Sequence, residues 1–333
     1  MIAPTYLTEK VGPEVFQEIA AEILRVEQVL TEAMESQVGL VSEVGLHTLA
    51  AGGKRLRPAL VVLAARACGL PFDADRARKI GAAMEMIHMA TLIHDDVIDH
   101  AATRRGRPTA SAEFGNTASI LTGDVLLSKA MAVLCRDGDI RIIRTVSEAV
   151  VELAEGEVAE LATRGNFDLT EEEHFRILRL KTASFIEACC QVGAMIAGAD
   201  EAVITALGTY GHHLGIAFQL VDDLLDYSGD QKKTGKPRAT DFSEGCATLP
   251  LILFNQLAME SDRQWISERF GQVSADVISD IVRKLSDVGA LAAAKRRTED
   301  VGRSAISALA DLPESVESEL LRGVVRFVLD REG

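Results

Sequence analysis

Aromatic residues are scarce, at 5% of 333 positions, with three tyrosines and one tryptophan. Sheets draw on aromatic and β-branched pairs, so this scarcity beside abundant Ala and Leu excludes a β-sandwich or barrel and favours packed helices. Cysteine is sparse too. Cys68, Cys135, Cys189, Cys190 and Cys246 are odd in number and show no Cys-x-x-Cys spacing, which excludes a disulfide scaffold and a thiolate zinc site. They read as small buried hydrophobes in a reducing cytosol. Positive charge is in deficit: 35 Lys and Arg against 50 Asp and Glu leave −15, which disfavours nucleic acid as a partner. No uninterrupted apolar run reaches bilayer-spanning length, and residues 1–6 lack the basic-then-apolar order of a secretion signal. A cytoplasmic protein without stable membrane insertion is expected. Strand alternation and solenoid periods are also missing, so the expectation is one all-α domain over residues 1–333.

What is present is charge of one sign in apolar surroundings. Asp95-Asp96-Val97-Ile98-Asp99 follows the apolar run 89–94, and Asp222-Asp223-Leu224-Leu225-Asp226 follows the run 216–221. Apolar flanks argue for mostly buried helices. On a helix the first and last aspartate of each motif share a face, about 6 Å apart along the axis. Burying such carboxylates uncompensated would cost several kcal/mol per charge. Lysines could answer them, but an oxygen-only cluster suits a hard divalent cation such as Mg²⁺, which completes its shell with substrate phosphates. Two such clusters facing each other would hold a diphosphate. The plainer alternative is a pair of solvated, acidic helix ends; two copies in apolar context argue against it.

Helices are expected over 13–34, 41–50, 59–68, from Asp73 or Asp75 into the first motif, 117–135, 140–161, 171–197, and 201–227 through the second motif. The nearly all-apolar character of 117–135 suggests a central helix. Residues 228–247, with three glycines and a proline, form the longest irregular stretch, and long loops in compact domains are usually functional. Basic residues stand where anions would need them. Lys54, Arg55 and Arg57 lie in a turn that opens a helix, and helix starts attract anions. Arg104 and Arg105 follow the first motif, and Arg binds phosphate oxygens bidentately. His88 is two turns before Asp95. Lys181 sits mid-helix between apolar residues and needs a counter-charge. Gln219 is one turn before the second motif, and Lys236 lies in the irregular stretch.

Gly52-Gly53-Lys54-Arg55-Leu56-Arg57-Pro58, His88, the first aspartate motif, Arg104-Arg105-Gly106, Gly123-Asp124, Lys181-Thr182, residues 218–226 and Thr248-Leu249-Pro250 occur in an order that resembles the trans-isoprenyl diphosphate synthases, most closely their octaprenyl and heptaprenyl branch. The resemblance implies the isoprenoid synthase fold: one large antiparallel helical bundle around a deep central cavity, usually as a homodimer. It implies that Asp95, Asp96, Asp99, Asp222, Asp223 and Asp226 bind Mg²⁺, three ions with the allylic diphosphate bound. It assigns Arg104, Lys181, Gln219 and Lys236 to that diphosphate, and Lys54, Arg57, His88 and Arg105 to isopentenyl diphosphate. Thr182 and Gln219 would offer oxygen dipoles to the allylic cation. The catalytic set is then Asp95, Asp99, Arg104, Lys181, Thr182, Gln219 and Asp222, with no general-base side chain. The chain departs from the family at Cys246, where Lys is usual, and at Thr240, where Asp is common; each bears on the loop after the second motif.

In this family the residues four and five before the first aspartate limit product length. Here they are Thr91 and Ala90, too small to block a growing chain, which puts the floor near Leu127, Met131, Leu134 and Cys135. The expected product is long, in the C30 to C50 class. The alternatives are a geranylgeranyl (C20) synthase, a non-catalytic subunit, or a terpene cyclase of the same fold. The basic turn and two intact motifs favour elongation over the last two.

Overall fold

The structure is a computed structural model that describes residues 13–228, 238–272 and 275–331. The elements are α1 Pro13–Met34, α2 Gly39–Ala50, α3 Leu56–Ala67, α4 Ala74–Ile98, β1 Thr103–Arg104, β2 Arg107–Pro108, α5 Ala110–Phe114, α6 Asn116–Asp137, α7 Ile140–Thr163, α8 Glu171–Leu178, a π turn over Arg179–Ala183, α9 Ser184–Ile196, α10 Glu201–Ser228, α11 Thr240–Ser243, α12 Leu249–Leu257, α13 Glu260–Ser267, α14 Ala275–Asp287, α15 Ala290–Ser307 and α16 Val316–Leu329. The chain divides into two compact units. The first holds 1–146, 189–205 and 312–320; the second holds 147–188, 206–311 and 321–333.

The first unit is organised on α4. Asp73 starts it, accepting the backbone N–H groups of Asp75 and Arg76 at 2.9 and 3.1 Å, which satisfies donors that the helix leaves open. Its middle is buried almost all round: Ile80, Met84, Met86 and Ile87 are at most 1% exposed. Each such side chain contributes about 1.5–3 kcal/mol on burial. α3, α1 and α6 pack against it. Proline falls within the first turn of α3, which begins three residues before the expected start.

Three expectations need correction. Residues 103–108 form a two-rung antiparallel hairpin, Thr103 opposite Pro108 and Arg104 opposite Arg107. The helix expected over 171–197 is interrupted by the π turn at Lys181-Thr182. α6 is less central than its composition suggests. It is long and apolar enough to cross a bilayer, yet only a third of its most apolar window is buried. It packs along α4 while Ile120 and Leu121 stay exposed. Its Lys129 ammonium donates to the carbonyls of Ala33 and Glu35 at 2.7 and 2.6 Å, closing the open C-terminal end of α1.

The second unit has its own core, in which Leu220, Tyr227, Phe242, Leu251 and Phe254 are fully buried. Thr248 precedes α12, which carries a proline in its first turn and packs on α15.

Candidate active site

The first aspartate motif closes α4: Asp95 and Asp96 lie in its last turn, and Asp99 is the residue just past its end. Asp96 is buried and accepts from the Arg104 Nε at 2.8 Å. The hairpin delivers that guanidinium, so the basic pair after the motif folds straight back onto it. Arg105 adopts φ 53°, a left-handed conformation rare for a side-chain-bearing residue. It donates to the Gly52 carbonyl. A Cβ on Gly53 would come within 2.9 Å of the Arg105 guanidinium and 3.1 Å of that of Arg55. The Gly-Gly pair therefore lets two arginines close over the backbone.

A pocket opens here, lined by His47, Gly52, Arg55, Glu85, His88, Asp96, Arg104 and Arg105 among others. Arg55 is not an anion-facing residue, against the sequence expectation. It too has φ 48° and turns inward, donating to Glu85 at 3.1 Å, Glu27 at 3.3 Å and the Leu49 carbonyl at 3.1 Å. Both Arg55 and Glu85 are nearly fully buried. The pair is a scaffold under the positive turn, and its burial requires that both charges stay. Lys54 is exposed at the rim. His88 lies one turn after Glu85; burial, then Arg57, Arg105, Arg104 and Arg55, hold its imidazole well below the usual histidine range. Burial and Arg105 lower the Arg57 guanidinium from its ordinary value, against the pull of Glu85. This region concentrates positive charge, with left-handed backbone at Arg55 and Arg105. His94, beside the motif, turns away to a backbone contact: its ring faces the Ile120 carbonyl at 3.1 Å in the space left by Gly123.

The second motif lies in the last two turns of α10. Asp222 pairs with Arg331 at 2.8 Å. Asp223 is buried and meets His174 Nε2 at 2.9 Å. Asp226 accepts the backbone N–H groups of Thr240 and Asp241 at 3.0 and 3.1 Å, so it caps α11 and fixes the returning chain. Lys236 lies outside the described residues. Asp241 is brought close by that cap; burial, then Asp226, Asp223 and Glu160, push its carboxyl well above the usual range. Tyr227 is fully buried, and burial with Asp241 and Asp226 raises its phenol likewise. Gln219 is half-buried one turn before the motif.

Lys181 and Thr182 occupy the π turn, a form that clusters at functional sites. Neighbouring helices approach it closely: a Cβ on Gly156 would sit 2.4 Å from the Lys181 backbone nitrogen, and one on Gly215 2.5 Å from the Ala183 Cα. The counter-charges that Lys181 needs are Glu157, at 3.0 Å, and Glu160. Burial alone would lower its ammonium, but these two carboxylates outweigh it and raise it. Thr182 is buried beside it.

The carboxylates fit a divalent cation by their chemistry. Asp241 and Tyr227 record the repulsion among Asp223, Asp226, Asp241 and Glu160, which a hard cation would relieve. Among the described residues no three His, Cys, Asp or Glu side chains converge into a ready metal site. Sequence reasoning missed Glu85, Glu157, Glu160, His174, Asp241 and Arg331. Glu85 stands three before His88, on the same helical face, and Glu157 and Glu160 have the same spacing; that periodicity was the available signal.

The fold is that of the all-α isoprenyl diphosphate synthases. The decaprenyl diphosphate synthase of Rhodobacter capsulatus superposes with a TM-score of 0.89 at 36% identity, covering 95% of this chain and 98% of that one. The polyprenyl synthase of Caulobacter crescentus, determined with calcium and isoprenyl diphosphate, gives 0.89 at 34% identity over 95% of this chain and 97% of its own. In sequence, the octaprenyl diphosphate synthase of Escherichia coli is 36% identical over 314 residues, 94% of this chain and 97% of that protein. The family model for polyprenyl synthetase matches residues 38–285, and the chain belongs to that family.

Proposed function

We propose that the chain is an all-trans polyprenyl diphosphate synthase, one catalytic domain that condenses isopentenyl diphosphate head-to-tail with an allylic diphosphate. The observation that carries this reading is the contrast built into the two motifs: strained arginines and His88 gathered beside Asp96, and a carboxylate excess around Asp223. One region accepts an anion as it stands; the other requires cations.

In this reading Lys54, Arg57, His88 and Arg105 hold isopentenyl diphosphate, while Arg104, Lys181, Gln219 and Lys236 hold the allylic diphosphate. Asp95, Asp96, Asp99, Asp222, Asp223 and Asp226 would hold Mg²⁺, three ions in the loaded site. Bound Mg²⁺ would supply neutralisation of the diphosphate charge. Arg104 and Lys181 stabilise the diphosphate as the allylic C–O bond breaks and its electron pair leaves with oxygen. The Thr182 and Gln219 oxygens face the allylic cation. The double bond of isopentenyl diphosphate forms the new C–C bond with the allylic cation, and a proton passes to the departing diphosphate.

Product length follows from the helix before the first motif. Ala90 is buried and Thr91 is half-buried, its hydroxyl donating to the His88 carbonyl at 2.9 Å. Neither has the bulk to stop a chain there. Leu134 is fully buried on α6, whereas Cys135 is exposed and drops out of the expected floor. A product of about C30 to C50 is the reading such small side chains support, since pocket volume sets the apolar length that fits. Exposed Ile120 and Leu121 on an apolar helix support burial of that face in a homodimer, in the cytoplasm.

The test is a product assay with Mg²⁺, isopentenyl diphosphate and, separately, dimethylallyl, geranyl, farnesyl and geranylgeranyl diphosphate, resolved by chain length. Products beyond C20 are expected, and Ala90→Tyr should shorten them sharply. A stop at C20 keeps the reaction and overturns the length; no elongation from any primer overturns the reading or demands a second subunit.

A further inference from the structure

His174 takes no part in the reaction just described, yet it is 4% exposed, with its Nε2 2.9 Å from Oδ2 of Asp223, itself 6% exposed. A buried imidazole meeting a buried carboxylate oxygen donates to it, which puts the ring proton on Nε2. The ring is delivered rigidly. Thr170 and Glu173 form a reciprocal capping box at the start of α8, and the His174 backbone N–H donates to the Thr170 carbonyl at 3.0 Å in the next turn. The imidazole therefore cannot drift away from α10 unless the helix start unwinds.

Of the three aspartates of the motif, the one it meets is the buried one. Asp222 reaches Arg331, and both oxygens of Asp226 accept backbone donors of α11. A carboxylate that turns freely presents either oxygen to a cation and loses rotational entropy on binding. One whose Oδ2 is already engaged has Oδ1 left and is held in one orientation. Hydrogen bonds to metal-ligating carboxylates characteristically set ligand orientation and affinity.

We propose that His174 is a positioning residue for divalent-cation binding at the second motif: its Nε2–H fixes Oδ2 of Asp223 and presents Oδ1 to the ion. The inference rests on the reading of Asp223 as a metal ligand. It concerns affinity for the ion more than the chemical step.

The experiment uses the full chain and two readouts. Mn²⁺ binding is followed by electron paramagnetic resonance of the free ion in the presence of inorganic pyrophosphate, and Mg²⁺ activation is followed with saturating substrates. His174→Gln keeps an amide nitrogen at the reach of the imidazole Nε2, while His174→Asn places it too short. His174→Ala removes it. His174→Ala and His174→Asn are expected to weaken Mn²⁺ binding about 10- to 100-fold and to raise the half-activating Mg²⁺ concentration in step, with kcat at saturating Mg²⁺ changed less. His174→Gln should restore most of both. Wild-type Mn²⁺ affinity in His174→Asn overturns the proposal, and so does equal weakening in the Gln and Asn variants, which assigns His174 to packing. Should His174→Ala fail to fold, the Gln and Asn pair still decides. Asp223→Asn is the separating control: if Mn²⁺ affinity is unmoved there while the wild type still elongates, the ligand assignment of Asp223 is what fails.

Discussion

Asp96 of the first motif meets a guanidinium, whereas Asp223 of the second meets an imidazole and stands among further carboxylates. The two sequences share one pattern, but their surroundings carry opposite charge. In the first unit Arg55, Arg57, Arg104 and Arg105 crowd together, and His88 is driven towards its neutral form by burial and by them. In the second, Asp241 is driven towards its neutral form by burial and by Asp226, Asp223 and Glu160. A repeated motif thus does not imply a repeated task. On the proposed reading, an anion would relieve the charge of one region and a cation that of the other.

The sharpest way to break this comparison is to remove one charge from each motif. Asp95→Asn and Asp222→Asn should each lower kcat/KM by about 10³-fold or more, since several kcal/mol of charge stabilisation goes with the ligand. Steady-state kinetics at saturating Mg²⁺ would measure it. A small loss in either variant alone would mean that the two motifs are not both engaged. Next in size is the scaffold beneath the arginines. Glu85→Gln removes the buried charge partner of Arg55, leaving it Glu27 at 3.3 Å and the Leu49 carbonyl at 3.1 Å, and should destabilise the fold by about 3–5 kcal/mol, read by urea unfolding. An unchanged midpoint would show that Glu27 and the Leu49 carbonyl suffice for Arg55.

A smaller pair of effects has opposite signs, as the opposite surroundings demand. Asp96→Asn loses a buried charged partner of Arg104 and should destabilise the metal-free protein by about 1.5–3 kcal/mol. Asp241→Asn should do the reverse. Its folded-state carboxyl titrates above the unfolded one, so the stability it contributes is present at low pH and lost as pH rises through the folded value. As pH rises, ionising this group beside other carboxylates costs stability, and Asn should raise the melting temperature of the metal-free chain by a few degrees at the alkaline end of the range. Added Mg²⁺ with pyrophosphate should erase that advantage. If both variants shift stability in the same direction, the charge contrast between the regions is wrong.

Much of this was legible in the sequence, because the features concerned are local. The helix ends at Pro13, Asp73, Thr170 and Thr248 follow from caps and prolines, which act within one turn. The demand of Lys181 for counter-charges also followed from its apolar neighbours. What stayed hidden depends on contacts distant in sequence. The π turn at Lys181 packs closely against Gly156 and Gly215, 25 and more residues away, and neither glycine carries a mark of that contact. Arg55 looks like its neighbours Lys54 and Arg57, and only Glu85 and Glu27 decide that it turns inward. His174 sits in an acidic stretch that reads as solvated, and its partner is 49 positions on. α6 misled through composition: apolar side chains on an exposed face cannot be told from core by a single chain's pattern.

The gentlest probe of the contrast is His88, because it reports the positive region without dismantling it. Burial and four arginines hold its folded-state value below the usual one, so its neutral form contributes stability above the unfolded value, and that stability is lost as pH falls through it. A bound diphosphate reverses the local sign and raises the imidazole again. Binding of inorganic pyrophosphate near pH 6.5 should therefore take up a fraction of a proton, measurable by titration calorimetry in buffers of different ionisation enthalpy. His88→Gln cannot take up that proton, and comparing it with wild type cancels the titration of pyrophosphate itself. Affinity should change by less than about tenfold, since the arginines remain and one His contact to an anion is worth about 1.4 kcal/mol at most. Equal proton uptake in both proteins would place the anion away from His88 and remove it from the isopentenyl diphosphate set, leaving the arginine turn as the anion site on its own.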